Sequence, residues 1–129
     1  MSHDVLADIV ARKRVEIRRR QRHAESIEAL LNPVPFDPDR GRRALEVLRR
    51  NGAPLPNVLA EIKFCSPSAG VIRSRTPGDV TRIARAYAAG GVAAISVLAD
   101  GPGFGGSVLD VRRAASVVPC PVLFKEFVL

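Results

Sequence analysis

The sequence predicts an α/β fold built on a parallel sheet, and three observations carry that reading. Apolar runs at residues 58–63, 93–98 and 121–127 have strand character, helical patterns fill 78–89 and 107–116 between them, and glycine, proline and capping residues punctuate the joins. Strands that alternate with helices and are apolar on both faces are parallel and joined by right-handed crossovers. Their carboxyl ends therefore gather along one edge of the sheet.

Ahead of the sheet, residues 1–51 read as an N-terminal helical extension, with helices over 4–20, 24–31 and 39–50 and a break at Pro33-Val34-Pro35. In the first helix Val5, Leu6, Ile9, Val10 and Ile17 recur at helical spacing, which predicts an apolar stripe opposite a charged, solvated face. Residues 52–129 carry the sheet. In its first strand Leu59, Glu61 and Lys63 share one face while Val58, Ala60 and Ile62 share the other, because side chains alternate along a strand. Thr76-Pro77-Gly78-Asp79 announces the next helix with a capping hydroxyl, an acid three residues later and Pro77 at the first helical position; Gly90 marks its end. Ser107 and Asp110 repeat the capping pattern before the second helix.

The 129 residues are 47% hydrophobic and 26% charged, which suits one domain's core and excludes disorder. The longest small, apolar stretch, 86–99, is interrupted by Tyr87, Gly90 and Gly91 and falls short of the roughly 18 residues of a membrane span. No membrane partner is expected. The N-terminus lacks an apolar signal core, and its Asp4, Asp8 and Glu16 do not fit an acid-poor transit sequence, so the expected location is cytoplasmic. Cys65 and Cys120 share no metal-ligand spacing with each other or with His3 and His23, which predicts free thiols and no metal.

The net charge is +7, and seven basic residues crowd between Arg12 and Arg22 against the single acid Glu16. With five Phe, one Tyr, no Trp and no recognition module, the chain lacks the stacking surface of a nucleic-acid binder, and no nucleic acid is expected as a partner. A solvated helix face and a positive field that attracts an anionic substrate are compatible readings of the same charges. The chain has seventeen Arg and only three Lys, and two of those three, Lys63 and Lys125, stand at predicted strand ends. Arginine holds its proton at ordinary pH whereas a partly desolvated lysine can release one, so these two positions suggest chemistry. An ion pair covering a strand end is the purely structural alternative for Glu61 and Lys63.

Gly101-Pro102-Gly103-Phe104-Gly105-Gly106 matches G-x-G-x-x-G between a strand and a helix, with Glu126 about 20 residues further on as in a dinucleotide site. Three features oppose that reading: Ala99 and Asp100 separate the glycines from the strand, Pro102 removes an amide, and Ser107 caps the helix only after the last glycine. The alternative is a mobile rim loop that carries Phe104 over a ligand.

Taken in order, Glu61-Ile62-Lys63, Ser66-Pro67-Ser68, Ala94-Ile95-Ser96-Val97-Leu98, Phe104-Gly105-Gly106-Ser107 and Pro121-Val122-Leu123-Phe124-Lys125 resemble indole-3-glycerol phosphate synthases. The Ala11-Arg12-Lys13-Arg14 segment is also similar to that family's start. Two positions depart from the family's pattern: Phe64-Cys65 replaces a more usual polar or small pair, and Glu126 stands where Asp is general.

The resemblance implies a (β/α)8 TIM barrel and a carboxy-lyase of tryptophan biosynthesis with no metal or organic cofactor. Its phosphorylated small-molecule substrate, 1-(o-carboxyphenylamino)-1-deoxyribulose 5-phosphate, is cyclised to indole-3-glycerol phosphate with loss of carbon dioxide and water. By the same resemblance Lys125 is the general acid, Lys63 grips an anionic group and assists dehydration, and Glu61 orients Lys63 and hydrogen-bonds the substrate. Ser66 serves the region near the phosphate, and Phe104 packs on the aromatic ring. A barrel takes about 250 residues, whereas this chain reaches only its third predicted strand by Leu129. The expectation is an inactive N-terminal portion that associates with the remaining part of the barrel, or with a fused tryptophan-pathway enzyme.

Overall fold

The computed structural model describes residues 4–22, 39–49 and 56–129. The helix expected over 24–31, the proline break after it and the boundary near residue 51 lie outside the described residues. Contacts divide the chain into two units, Met1–Pro38 with Phe127–Leu129, and Asp39–Glu126.

In the first unit, α1 (Val5–Gln21) begins where Asp4 Oδ1 accepts the backbone N–H groups of Leu6 and Ala7, and it ends in Arg18, Arg19 and Arg20, whose charges suit a helix C-terminus. The apolar stripe differs from expectation at both edges. Ile9 is buried as predicted, but Val5 and Leu6 are exposed, and Lys13 lies buried on the same side as Ile9. Lys13 fits there because Glu16, one turn on, accepts its Nζ at 2.6 Å and also pairs with Arg20, so the charge is not left unpaired.

The second unit opens with α2 (Asp39–Leu48), whose last carbonyls are gathered by one side chain: Asn57 Nδ2 donates to Val47 O, Leu48 O and Arg49 O at 3.0–3.2 Å. There follow β1 (Leu59–Ile62), the short strands β2 (Cys65–Ser66) and β3 (Gly70–Val71), α3 (Asp79–Ala89), β4 (Ala94–Leu98), a helical turn α4 (Gly101–Phe104), α5 (Val108–Ala115) and β5 (Val122–Lys125). The expected β-α-β-α-β alternation is present. The three long strands form a parallel sheet in the order β1-β4-β5, with Leu59 opposite Ala94 and Ile95 opposite Val122. Every residue of the central strand β4 is buried. One face of the sheet packs on the helices through a core of Ile62, Phe64, Val80, Ala84, Ile95, Val97 and Ala114.

Helix starts and stops refine the sequence reading. Ser107 caps α5 as predicted, its Oγ accepting from Leu109 N at 3.2 Å. At α3, however, the N-cap is Gly78 in the left-handed region, at φ 83°, and Pro77 lies outside the helix. Thr76 to Asp79 is instead a turn in which Thr76 N donates to Asp79 Oδ2 at 2.8 Å, so the carboxylate half of the capping box survives without the hydroxyl half. At the other end Gly90 stays right-handed, and the left-handed residue that closes the helix is Gly91, at φ 78°.

Two elements were not anticipated. Cys65-Ser66 pairs antiparallel with Gly70-Val71 around a turn at Pro67-Ser68-Ala69, and the excursion closes where Ile72 N and Arg73 N return to Phe64 O. The glycine segment, expected as an irregular loop, winds into α4 because Asp100 Oδ2 accepts Gly103 N at 2.8 Å and Gly105 N donates to Gly101 O at 3.0 Å. Gly106 then runs so close to the strand that a Cβ there would stand 2.0 Å from Leu98 O. The close approach of the two backbones by itself requires glycine here.

Candidate active site

The register of the sheet builds the site. Glu61 lies opposite Ser96, and Ser96 opposite Leu123, while one step further on Leu98 lies opposite Lys125. Residues paired across a parallel sheet share a face, and so do residues two apart along a strand. Glu61, Lys63, Ser96, Leu98 and Lys125 therefore line one surface at the carboxyl ends of the strands. β1 and β5 are separated by β4, a span of about 10 Å, so Glu61 and Lys125 meet only by leaning across the central strand. The small side chain of Ser96 leaves room for that reach.

The side chains meet at one carboxylate. Glu61 Oε1 pairs with Lys63 Nζ at 3.0 Å, and Glu61 Oε2 accepts from Lys125 Nζ at 2.8 Å. The hydrogen bond from Lys125 pulls the Glu61 carboxyl below its usual range; partial burial opposes the shift, and the Lys63 hydrogen bond reinforces it. Two ammonium groups share one carboxylate, which leaves an excess positive charge for an anionic ligand. The strand itself is held from behind by Tyr87, whose hydroxyl donates to Glu61 O at 3.2 Å.

The remaining sequence candidates sit on the two segments that follow β1 and β4. Ser66 Oγ accepts Ala69 N at 3.1 Å, which shapes the turn between β2 and β3, and it shares a 3.4 Å hydrogen bond with Ser68 Oγ that either hydroxyl can donate. Phe104 ends α4 and is half-buried. The structure thus brings Glu61, Lys63 and Lys125 together directly, and carries Ser66 and Phe104 on neighbouring rim segments. Both cysteines are free. Among the described residues no group of three or more His, Cys, Asp or Glu side chains gathers as a metal site, and no helix is long and apolar enough to cross a membrane.

Sequence reasoning missed three groups. Ser96 is buried, with an Oγ that finds no partner among the described residues; its signal is a lone hydroxyl in the otherwise apolar Ala94-Ile95-Ser96-Val97-Leu98. Asp79 and Asp110 were read as cap residues but are buried acceptors for arginines. Asp79 pairs with Arg82 and, at 3.9 Å, with Arg73, while Asp110 Oδ1 takes Arg75 at 2.6 Å and Arg113 at 2.9 Å. The backbone N–H of Thr76, with Arg82 adding to it, lowers the Asp79 carboxyl to about 2.

A parallel α/β unit with an ionisable cluster at the carboxyl ends of its strands has the layout of an enzyme's substrate site. Residues 6–129 match the sequence profile of the family described as indole-3-glycerol phosphate synthase, and this chain belongs to that family. It is 41% identical over 125 residues to the indole-3-glycerol phosphate synthase of a Nocardioides species, covering 97% of this chain and 45% of the relative. It is 44% identical over 103 residues to that of Desulfosudis oleivorans, covering 79% and 38%, and 36% identical over 129 residues to that of Bacteroides thetaiotaomicron, covering 98% and 46%. The chain spans less than half the length of these curated relatives.

Proposed function

We propose that this chain supplies the first three strands of a (β/α)8 barrel and the lysine–carboxylate part of the active site of an indole-3-glycerol phosphate synthase. The observation that carries the proposal is Glu61 bridging Lys63 at 3.0 Å and Lys125 at 2.8 Å at the strand ends. Ring closure joins the ring carbon that bears the carboxylate to the carbonyl carbon of the sugar-derived chain; carbon dioxide and then water leave. The closing step builds negative charge on the carbonyl oxygen, and a positioned ammonium both stabilises it and delivers a proton.

Lys125 fits the role of general acid because it is the more exposed of the two lysines, so an incoming oxygen can draw it from the carboxylate. Lys63 holds an anionic group of the substrate and assists the loss of water. Glu61 keeps both ammonium groups on the same side of the sheet and, once one of them turns to the substrate, has an oxygen available to accept a substrate hydrogen bond. Ser66 donates its hydroxyl proton near the phosphate, and Phe104 packs on the aromatic ring. The remaining strands of the barrel complete the phosphate site and the second acid–base group.

The test is formation of indole-3-glycerol phosphate from the carboxyphenylamino substrate, comparing the 129-residue chain with a longer product of the same reading frame. Activity confined to the longer product is the expected result. Activity of the short chain alone would remove the need for the remaining strands, and activity in neither would overturn the proposed function.

A further inference from the structure

One guanidinium joins the two rim segments. Arg75, on the segment that leaves β3, donates through one nitrogen to Gly105 O at 2.9 Å and through another to Asp110 Oδ1 at 2.6 Å. Its planar head lies over the ring of Phe64, 5.1 Å from the centroid, and Phe64 is buried in the core. Each contact uses a different property of arginine: two forked donors for two acceptors, and a flat cationic face for an aromatic ring. Gly105 presents its carbonyl because it sits in the left-handed region, at φ 64°, directly against Cys65, whose Sγ lies 3.6 Å from Gly103 O. The β2–β3 excursion, with Ser66, and α4, with Phe104, thus meet along a seam that Arg75 closes.

We infer that Arg75 is a positioning residue that latches these two segments and holds the parts of the rim carrying Ser66 and Phe104 against each other. The inference rests on the proposed function only for what those segments bind. The latch itself is a property of this chain. Arg113 shares Asp110 but makes no contact with Gly105 among the bonds of the described residues, which separates joining the seam from neutralising Asp110.

Cys65 reports the seam, and Cys120, in the turn before β5, reports the rest of the unit. Each is read alone in Cys120→Ser and Cys65→Ser backgrounds, with the rate of reaction with a small disulfide reagent measured in native buffer and in urea. Arg75→Met is expected to raise the native Cys65 rate by about tenfold, the scale of losing a charge-assisted hydrogen bond, and to leave the Cys120 rate within about twofold. Arg113→Met is expected to change neither. The inference is overturned if Arg75→Met leaves Cys65 unchanged, if both thiols speed up together, if Arg113→Met matches Arg75→Met, or if wild-type Cys65 reacts as fast in buffer as in urea. Should Arg75→Met fail to fold, Arg75→Lys, which keeps the charge but loses the fork, is read by the same criteria. In a longer product that forms indole-3-glycerol phosphate, Arg75→Met should raise KM by about tenfold with kcat within about threefold, because the joined segments bind and do not donate the proton; a fall in kcat at constant KM would overturn the positioning role. The thiol rates need no substrate, so a chain with the expected thiol pattern and no activity counts against the function alone.

Discussion

Two kinds of carboxylate cluster stand in the same sheet unit, and they differ in the cation chosen and in the water allowed. Asp79 and Asp110 are 2% and 1% exposed and are paired with arginines, whereas the Glu61 side chain is 30% exposed and is paired with two lysines. A buried carboxylate needs partners that cannot lose their charge and that fill fixed directions, which a guanidinium provides. A carboxylate at the proposed active site needs partners that can turn away and give up a proton, which an ammonium on a flexible stem provides. The chain spends arginine almost everywhere, with seventeen against three lysines, and keeps lysine at this one carboxylate and at the buried Lys13.

The sharpest way to break the contrast is to exchange the cations. Lys125→Arg preserves the charge on Glu61 but removes a dischargeable proton, and it should cost an active product at least about a hundredfold in turnover, as a lost general acid does. A wild-type rate would reduce Lys125 to a counter-ion. Next in size is Asp110→Asn, which leaves Arg75 and Arg113 facing a neutral acceptor. The cost expected in urea unfolding is about 2 kcal/mol, below the usual figure for a broken buried pair because both arginines are partly solvated. Glu61→Gln should cost less than about 0.5 kcal/mol in the same measurement, and equal losses in the two variants would erase the distinction between the buried clusters and the half-exposed one.

Acid titration gives the smallest and most diagnostic effect. Asp79 is lowered from an ordinary 3.8 to about 2, so its contribution is complete above the ordinary value and is lost as pH falls from about 4 through about 2. Glu61 is also lowered, so its contribution has the same sign and fades as the carboxyl protonates. The urea midpoint should therefore drop across that window in the wild type, and Asp79→Asn should flatten the drop more than Glu61→Gln. A steeper dependence on Glu61 would mean that the strand-end ion pairs, and not the Asp79 carboxylate at the start of α3, hold the fold together in acid.

Much of this architecture was legible in the residues. Apolar runs 58–63, 93–98 and 121–127 became β1, β4 and β5, and the strand-end positions of Glu61, Lys63 and Lys125 were read correctly because a parallel sheet aligns its carboxyl ends whatever its exact register. The hairpin at Cys65 to Val71 escaped notice because two-residue strands carry no periodicity. The left-handed Gly78 displaced the predicted cap at Thr76 because Asp79 N donates to the Thr76 carbonyl, at 3.2 Å, and not to its hydroxyl. Lys13 was assigned to solvent on charge alone, and the nearby Glu16 made burial possible.

Alternation of apolar runs with capped helices was enough to determine a parallel α/β sheet, since backbone hydrogen bonding and burial permit few other arrangements of such a pattern. The motifs along it were enough to indicate the family. Only the tertiary structure decided that one carboxylate serves two lysines across a strand, that Asp79 and Asp110 are buried arginine partners, and that Arg75 spans from one rim segment to the other. These are contacts between residues 30 to 64 positions apart or between side chains whose directions depend on packing, and no local pattern in a chain records which of its many arginines will find a particular carbonyl.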